Sequence, residues 1–181
     1  MELKQKYTID NTTFQDWDLI LELFDKAIKN KRKDGYKVWN QIDESGIKND
    51  IAKKLQYKVK IKEQVSGIFS IQFNDPFIWR ERDCDKAIYL HRIVANPDVS
   101  GQKFFKTVLN WVMLYAKNNK IDYIRMDTWA DNQRLIEYYK SYGFQFVENH
   151  KTPNEPELPI QNRNLEIILL EIDLTKIDES L

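Results

Sequence analysis

Apolar residues recur at helical spacing near the start of the chain and then switch to strict alternation. Phe14, Trp17, Leu21, Phe24 and Ile28 fall every three or four positions, which predicts an amphipathic helix. Thr12 or Thr13 is placed to cap it, with Asp16 near its positive end, and Gly35 closes it after Lys29, Lys31, Arg32 and Lys33. These cations suit the C-terminal end of the helix dipole and read as a solvated helix end. A short strand over Lys4 to Asp10 precedes the helix, and a second helix is expected from Ile47 to Lys54. Tyr57, Val59 and Ile61 then alternate with Lys58, Lys60 and Lys62, the pattern of a half-buried strand. Glu63 to Ser66 is read as the turn and Gly67 to Phe73 as the hairpin partner, broken by Asn74, Asp75 and Pro76.

Phe77 to Asp85 is read as a loop that leaves Trp79 without an assignment. A strand over Ala87 to Ala95 follows, then a long helix from Gly101 to Asn118 that buries Phe104, Val108, Trp111, Val112 and Tyr115. Asp122 to Trp129 is the next strand. Asp131 can cap a helix from Asn132 to Ser141 that Gly143 ends. Phe144 to Glu148 is a strand, the proline-bearing stretch Thr152 to Asn164 a loop, and Leu165 to Leu174 a last strand. Strand, helix, strand from Ala87 to Trp129 implies a parallel pair with a right-handed crossover, whereas the earlier hairpin implies antiparallel pairing. The fold class is therefore α/β, or α+β by some labels: a mixed sheet with helices on both faces.

Composition narrows the function. Twenty-eight Lys and Arg balance 28 Asp and Glu, so the chain lacks the basic excess of a general nucleic-acid binder. No run nears the ~20 apolar residues of a membrane span, and the first residues lack the apolar core of a signal peptide. Cys84 is the one cysteine, so no intrachain disulfide forms; in its polar setting it reads as a spectator. A cytoplasmic protein is expected. The chain's 181 residues suit one domain. That domain is placed at 1–175, with a frayed tail over 176–181. His91 and His150 are the only histidines and suggest no metal cluster.

The turn Asn96-Pro97-Asp98-Val99-Ser100-Gly101-Gln102-Lys103-Phe104-Phe105 carries candidate chemistry. A strand that enters a glycine-bearing turn and then a helix can hold an anion on free backbone N–H groups. The same spacing also fits a plain strand-to-helix turn. The wider pattern separates the two readings. Ile93-Val94-Ala95-Asn96-Pro97 precedes the turn, and Asn132, Leu135, Tyr139 and Gly143-Phe144 follow it. This arrangement resembles the GNAT N-acetyltransferase superfamily. Those proteins show an apolar strand, x-Pro and R/Q-x-x-G-x-G/A opening a long helix, then N-x-x-(A/L)-x-x-x-Y and a closing G-F. Val38-Trp39 and Asp50-Ile51 resemble the second-helix region of many members. The likeness spans Leu3 to Leu174 and is specific from Leu90 to Val147. Ser100 stands where the family has Arg or Gln, and Lys103 and Phe105 stand where it has small residues.

The resemblance implies a mostly antiparallel sheet of six to seven strands, about four flanking helices and a central splayed parallel pair. It implies acetyl-CoA as cosubstrate, with no metal, and direct acetyl transfer to a primary amine. It places Ile93, Val94, Ala95, Ser100, Gly101, Gln102, Lys103, Phe104, Phe105, Asn132, Leu135 and Tyr139 along the cofactor. Backbone groups at Ile93 and Ala95 would meet the pantetheine, with an N–H near Ile93 polarising the thioester carbonyl. Phe105 would add bulk beside the phosphates, and Lys103 would replace the missing Arg as their partner. Asn132 would orient the pantetheine or fix the helix start. Tyr139 would protonate the departing thiolate. His91, Asp127 and Glu63 are candidates for the base, His91 having the best-placed ordinary pKa. The acceptor is a small molecule or a peptide amine, met by the first two helices and the Pro153 to Pro159 loop; Tyr36 and Trp39 fit that side and core packing equally well. No nucleic-acid or membrane partner is expected, and edge strands leave a homodimer open. The alternative function is a non-catalytic acyl-CoA-binding or protein-interaction module on the same fold.

Overall fold

The computed structural model describes residues 7–35, 37–38, 41–99 and 104–177. In chain order these form β1 (Tyr7–Asn11), α1 (Trp17–Lys33), α2 (Glu44–Ala52), β2 (Gln56–Ile61), β3 (Gln64–Gln72), α3 (Pro76–Trp79) and β4 (Ala87–Ala95). There follow α4 (Phe104–Asn119), β5 (Tyr123–Trp129), α5 (Gln133–Lys140), β6 (Gln145–Lys151) and β7 (Glu166–Asp173). The hydrogen-bonded strand order is β1-β2-β3-β4-β5-β7-β6. β4 and β5 are parallel, while β1–β2, β2–β3, β5–β7 and β6–β7 are antiparallel. The mixed, mostly antiparallel sheet expected from the sequence is what forms.

The chain divides into two compact units that share β4 and α4: Met1–Ile71 with His91–Asn110, and Gln72–Leu90 with Trp111–Leu181. The first unit packs α1 and α2 on the sheet through Ile20, Leu23, Phe24, Ile47, Ile51, Ile68 and Val94. Its helix α1 is set as the cations and Gly35 imply: Gly35 has φ +76° and follows Lys31, Arg32 and Lys33 in the last turn. At the other end the Thr13 N–H donates to Asp16 Oδ2 at 2.8 Å, and Lys58 Nζ donates to Asp16 Oδ1 at 2.6 Å. The apolar stripe lies about one position from the expected one. Ile20 and Leu23 are fully buried, whereas Phe14 is 57% exposed, because Phe14 lies in a short 3-10 turn before the helix proper.

Several boundaries move for local reasons. Asp43 Oδ1 accepts the Gly46 N–H at 3.0 Å, so α2 starts at Glu44 and not at Ile47. The β2–β3 turn is tighter than Glu63 to Ser66: Ile61 pairs with Gln64, and Lys62 takes a left-handed φ of 56°. That two-residue connection is the commonest hairpin solution. In the second unit, 77–85 is not an irregular loop. Pro76 occupies the first turn of α3, which suits its missing N–H, and a 3-10 turn runs over Arg80–Cys84. Ile78, Trp79, Ala87, Tyr89, Ile167 and Leu169 form this unit's apolar cluster. β6 extends to Lys151, beyond the expected Glu148. Of the expected tail, Lys176 closes a short 3-10 turn and pairs with Asp173 at 2.8 Å, and 178–181 lie outside the described residues.

Candidate active site

The second half of β4 and the turn after it are built in the first unit. Val94 is buried among the α1 and α2 side chains, and Arg92 reaches α2 through two carboxylates, so both point to one face as alternation requires. Asn96 fastens the strand end. Its backbone N–H donates to Ser66 O at 2.8 Å, its Nδ2 donates to Val65 O at 2.9 Å, and its Oδ1 accepts the Asp98 N–H at 3.1 Å. Lys26 of α1 donates to Asp98 Oδ2 at 2.6 Å. Ser100, Gly101, Gln102 and Lys103, the centre of the expected phosphate cradle, lie outside the described residues, as do Tyr36 and Trp39.

On the far side of the turn, Phe104 and Phe105 open α4 with 6% and 3% of their surface exposed. The expected bulk of Phe105 beside a phosphate is therefore absent: its side chain is interior, and only its backbone could face a ligand. Val108, Leu109, Val112 and Ala116 complete the buried side of α4, while Trp111 and Tyr115 are half-buried and meet at a tilt of 35°, with ring centroids 5.4 Å apart.

Gly67 of β3 lets Phe104 sit where it does. A Cβ at Gly67 would stand 2.4 Å from the Phe104 ring and 2.6 Å from Val94 O. The ring is interior and the carbonyl belongs to a strand, so neither gives way cheaply. Gly67→Ala is expected to lower stability by about 1–3 kcal/mol, read as a lower urea midpoint at unchanged slope. An unchanged midpoint would show that Phe104 is not held against β3.

The other candidate residues sit on α5 in the second unit. Asn132, not Asp131, is the N-cap: its Oδ1 accepts the Leu135 N–H at 3.1 Å. Gly143, at φ +97°, follows the helix. Asn132, Ile136 and Tyr139 share a buried face, as their spacing implies, and Leu135 is half-buried. The Tyr139 ring meets Phe144 edge-on at 6.3 Å and Tyr138 at 5.6 Å. Burial first, and then the negative charge of Asp127 on β5, hold the Tyr139 phenol above the usual tyrosine range. Its proton therefore stays on oxygen at neutral pH. Tyr138 is 40% exposed, so of the three tyrosines in this stretch Tyr139 is the one shielded from water.

The three base candidates differ in setting. His91 on β4 and Asp127 on β5 are half-buried, whereas Glu63 is exposed in the β2–β3 turn. Cys84 is also exposed and donates to Glu81 O at 3.1 Å.

The sequence reading missed a buried charge network around Arg125. This side chain is 1% exposed at the centre of β5. It donates to Glu171 Oε2 at 2.8 Å, Asp85 Oδ2 at 2.5 Å and Arg82 O at 2.6 Å. The Trp79 and Tyr123 rings each lie 4.6 Å from its guanidinium carbon. The available signal was an arginine between Ile124 and Met126 in an apolar strand, together with a tryptophan that no element claimed.

A family model described as "Acetyltransferase (GNAT) family" matches residues 17–144. An uncharacterized N-acetyltransferase of Methanocaldococcus jannaschii is 28% identical over 155 residues, covering 81% of this chain and 64% of its own length. The chain thus spans less than two thirds of that relative. A GNAT-family acetyltransferase of Listeria monocytogenes superposes with a TM-score of 0.75 at 21% identity, over 93% of this chain and 95% of the other. A putative acetyltransferase of Salmonella typhimurium, solved with its cofactor acetyl-CoA, gives 0.64 at 14% identity, over 97% and 98%. At such identities the two structures speak to fold alone.

Proposed function

The chain belongs to the GNAT acetyltransferase family, and on that premise we propose that it is an acetyl-CoA-dependent N-acetyltransferase acting on a primary amine. The observation that carries the reading within this chain is Tyr139. It is a buried phenol that keeps its proton, seven positions after the helix-capping Asn132. Acetyl-CoA supplies the acetyl group as a thioester. The acceptor nitrogen forms its bond to the acetyl carbon, the carbon–sulfur bond breaks, and Tyr139 gives its proton to the sulfur. The acceptor's proton leaves to a base or through water. Holding amine and thioester together supplies much of the rate gain.

The remaining chain residues bind and orient. Backbone groups at Ile93, Val94 and Ala95 run along the pantetheine, with the Ile93 N–H on the acetyl carbonyl. Asn132 and Leu135 flank the pantetheine from α5. The N–H groups of Ser100, Gly101, Gln102, Lys103, Phe104 and Phe105 take the phosphates, with the Lys103 ammonium beside them. His91 and Asp127 are the base candidates whose half-burial fits that role. The acceptor is a small molecule or peptide amine, the protein acts in the cytoplasm, and a homodimer is compatible with the exposed sheet edges.

Thermal unfolding with and without acetyl-CoA tests this directly. At a concentration near one hundred times Kd the ligand should add about 2.7 kcal/mol, a rise in Tm of roughly 5–10 °C. Free-thiol release across a panel of small amines and N-terminal peptides should then find the acceptor class. No rise at millimolar acetyl-CoA would reject the proposal.

A further inference from the structure

Arg92 has a left-handed backbone, φ 51°, inside β4, a conformation that costs an L-residue energy and is rare outside turns. Glycine is the ordinary solution at such a position. The structure retains an arginine there and surrounds it with acidic groups from one helix. Arg92 Nη1 donates to Asp50 Oδ2 at 2.6 Å and Nη2 donates to Asp43 Oδ2 at 2.8 Å. The Asp50 side chain is 2% exposed and that of Asp43 15%. Asp43 also caps α2, so one residue serves both the helix start and the ion pair. Gly46 keeps the approach open: a Cβ there would lie 2.0 Å from Asp43 Oδ2 and 2.5 Å from Arg92 Nη2. Backbone strain of this kind persists where the surroundings over-determine it, and such irregularities in strands re-aim the residue that follows.

We propose that Arg92 is a positioning residue for acetyl transfer: the Asp43 and Asp50 pairs hold its left-handed backbone, which aims the next N–H, that of Ile93, at the thioester carbonyl. This rests on the reading of Ile93 given above. Arg92 need not touch acetyl-CoA. Its side chain belongs to α2, and its effect on the chemistry passes through its own main chain.

The test needs no acceptor. Acetyl-CoA labelled with carbon-13 at the acetyl carbonyl is bound to the full chain, and the change in carbonyl chemical shift on binding is recorded. Affinities for acetyl-CoA and for CoA are measured alongside. In the wild type the carbonyl should move downfield. Arg92→Ala should lose most of that movement, and its preference for acetyl-CoA over CoA should fall roughly 3- to 10-fold, the worth of one hydrogen bond. Arg92→Gly loses the same ion pairs but accepts the backbone conformation without strain, so it should keep most of the shift. Asp43→Asn retains a good helix cap and should show a partial loss, which covers the case in which Arg92→Ala does not fold. Three results overturn the inference alone: a wild-type shift in Arg92→Ala, equal losses in the Ala and Gly variants, or a wild-type shift in Asp43→Asn when the Ala variant is unfolded. If the wild type binds no acetyl-CoA, the acetyltransferase reading falls and this inference falls with it.

Discussion

Tyr139→Phe is expected to lower kcat by about 10²- to 10⁴-fold, the usual worth of a positioned general acid, while acetyl-CoA binds as before. The ring is what packs: it meets Phe144 and Tyr138, and phenylalanine fills the same space. On the proposed mechanism, removing only the hydroxyl takes away the proton meant for the departing thiolate. A phenol held above its usual range is a weaker acid, which on its own would hinder transfer. A sulfur bound beside Tyr139, as proposed, would have its thiolate's proton affinity raised by the same dry surroundings, so the pair would stay matched as charge gathers on sulfur. The pH dependence follows from the direction of the shift. Because burial and Asp127 push the Tyr139 pKa up, no fall in kcat between pH 7 and pH 9 can come from its ionisation. Above about pH 10 an unfolded tyrosine loses its proton while the folded chain still holds this one. Stability therefore declines with rising pH in that region, and the Phe variant should lose Tyr139's share of the decline. Single-turnover acetyl transfer and acetyl-CoA titration of both proteins decide the matter. Unchanged kcat in the variant would remove Tyr139 from the chemistry.

The parts of the fold and site that could be read in advance are those fixed by local chemistry. Ala87–Ala95 was legible to its last residue because alternation and Pro97 delimit it. α5 was legible because Asn132 and Gly143 mark its ends, though residue types alone left the cap open between Asp131 and Asn132, and the chain uses Asn132. What failed depends on partners distant in sequence. Near Trp79 only Asp75-Pro76 hints at a helix start, and the contact of Trp79 with Arg125 comes from another element. The stripe on α1 slipped because Phe14 looks like its first member, whereas only the geometry of the Thr13 and Asp16 contact puts Phe14 outside the helix. The left-handed Arg92 has no sequence signature at all. An arginine in a strand reads as a solvated side chain until Asp43 and Asp50 are brought to it. Phe105 shows the reverse case: alignment to a motif sets its bulk beside phosphate, yet the helix period turns its side chain inward and leaves only its backbone to that side.

Arg125→Ala should be the most damaging single change to stability in the second unit, about 3–5 kcal/mol or roughly 6–20 °C in Tm. The guanidinium replaces water for three acceptors at once: Glu171, Asp85 and the Arg82 carbonyl. With Arg125 gone, Glu171 is left at 18% side-chain exposure with no cation in its place, and the Trp79 and Tyr123 rings close on a void. The two carboxylates come from different segments. Asp85 follows the 3-10 turn that leads into β4, and Glu171 lies on β7 directly across from Arg125. The network therefore ties the turn after α3 to the sheet. The loss should be mostly that of stranded charge, which a second variant can separate from lost packing. Arg125→Met combined with Asp85→Asn and Glu171→Gln refills the space and removes the uncompensated charges, so it should recover a large part of the stability. Arg125→Lys should fall between, because an ammonium cannot serve both carboxylates through a planar fork. Denaturant unfolding of the three proteins gives the ordering. If Arg125→Ala cost no more than an ordinary surface substitution, the buried network would not be what fastens this turn, and the packing of Trp79 on Tyr89, at 5.8 Å, would have to hold it alone.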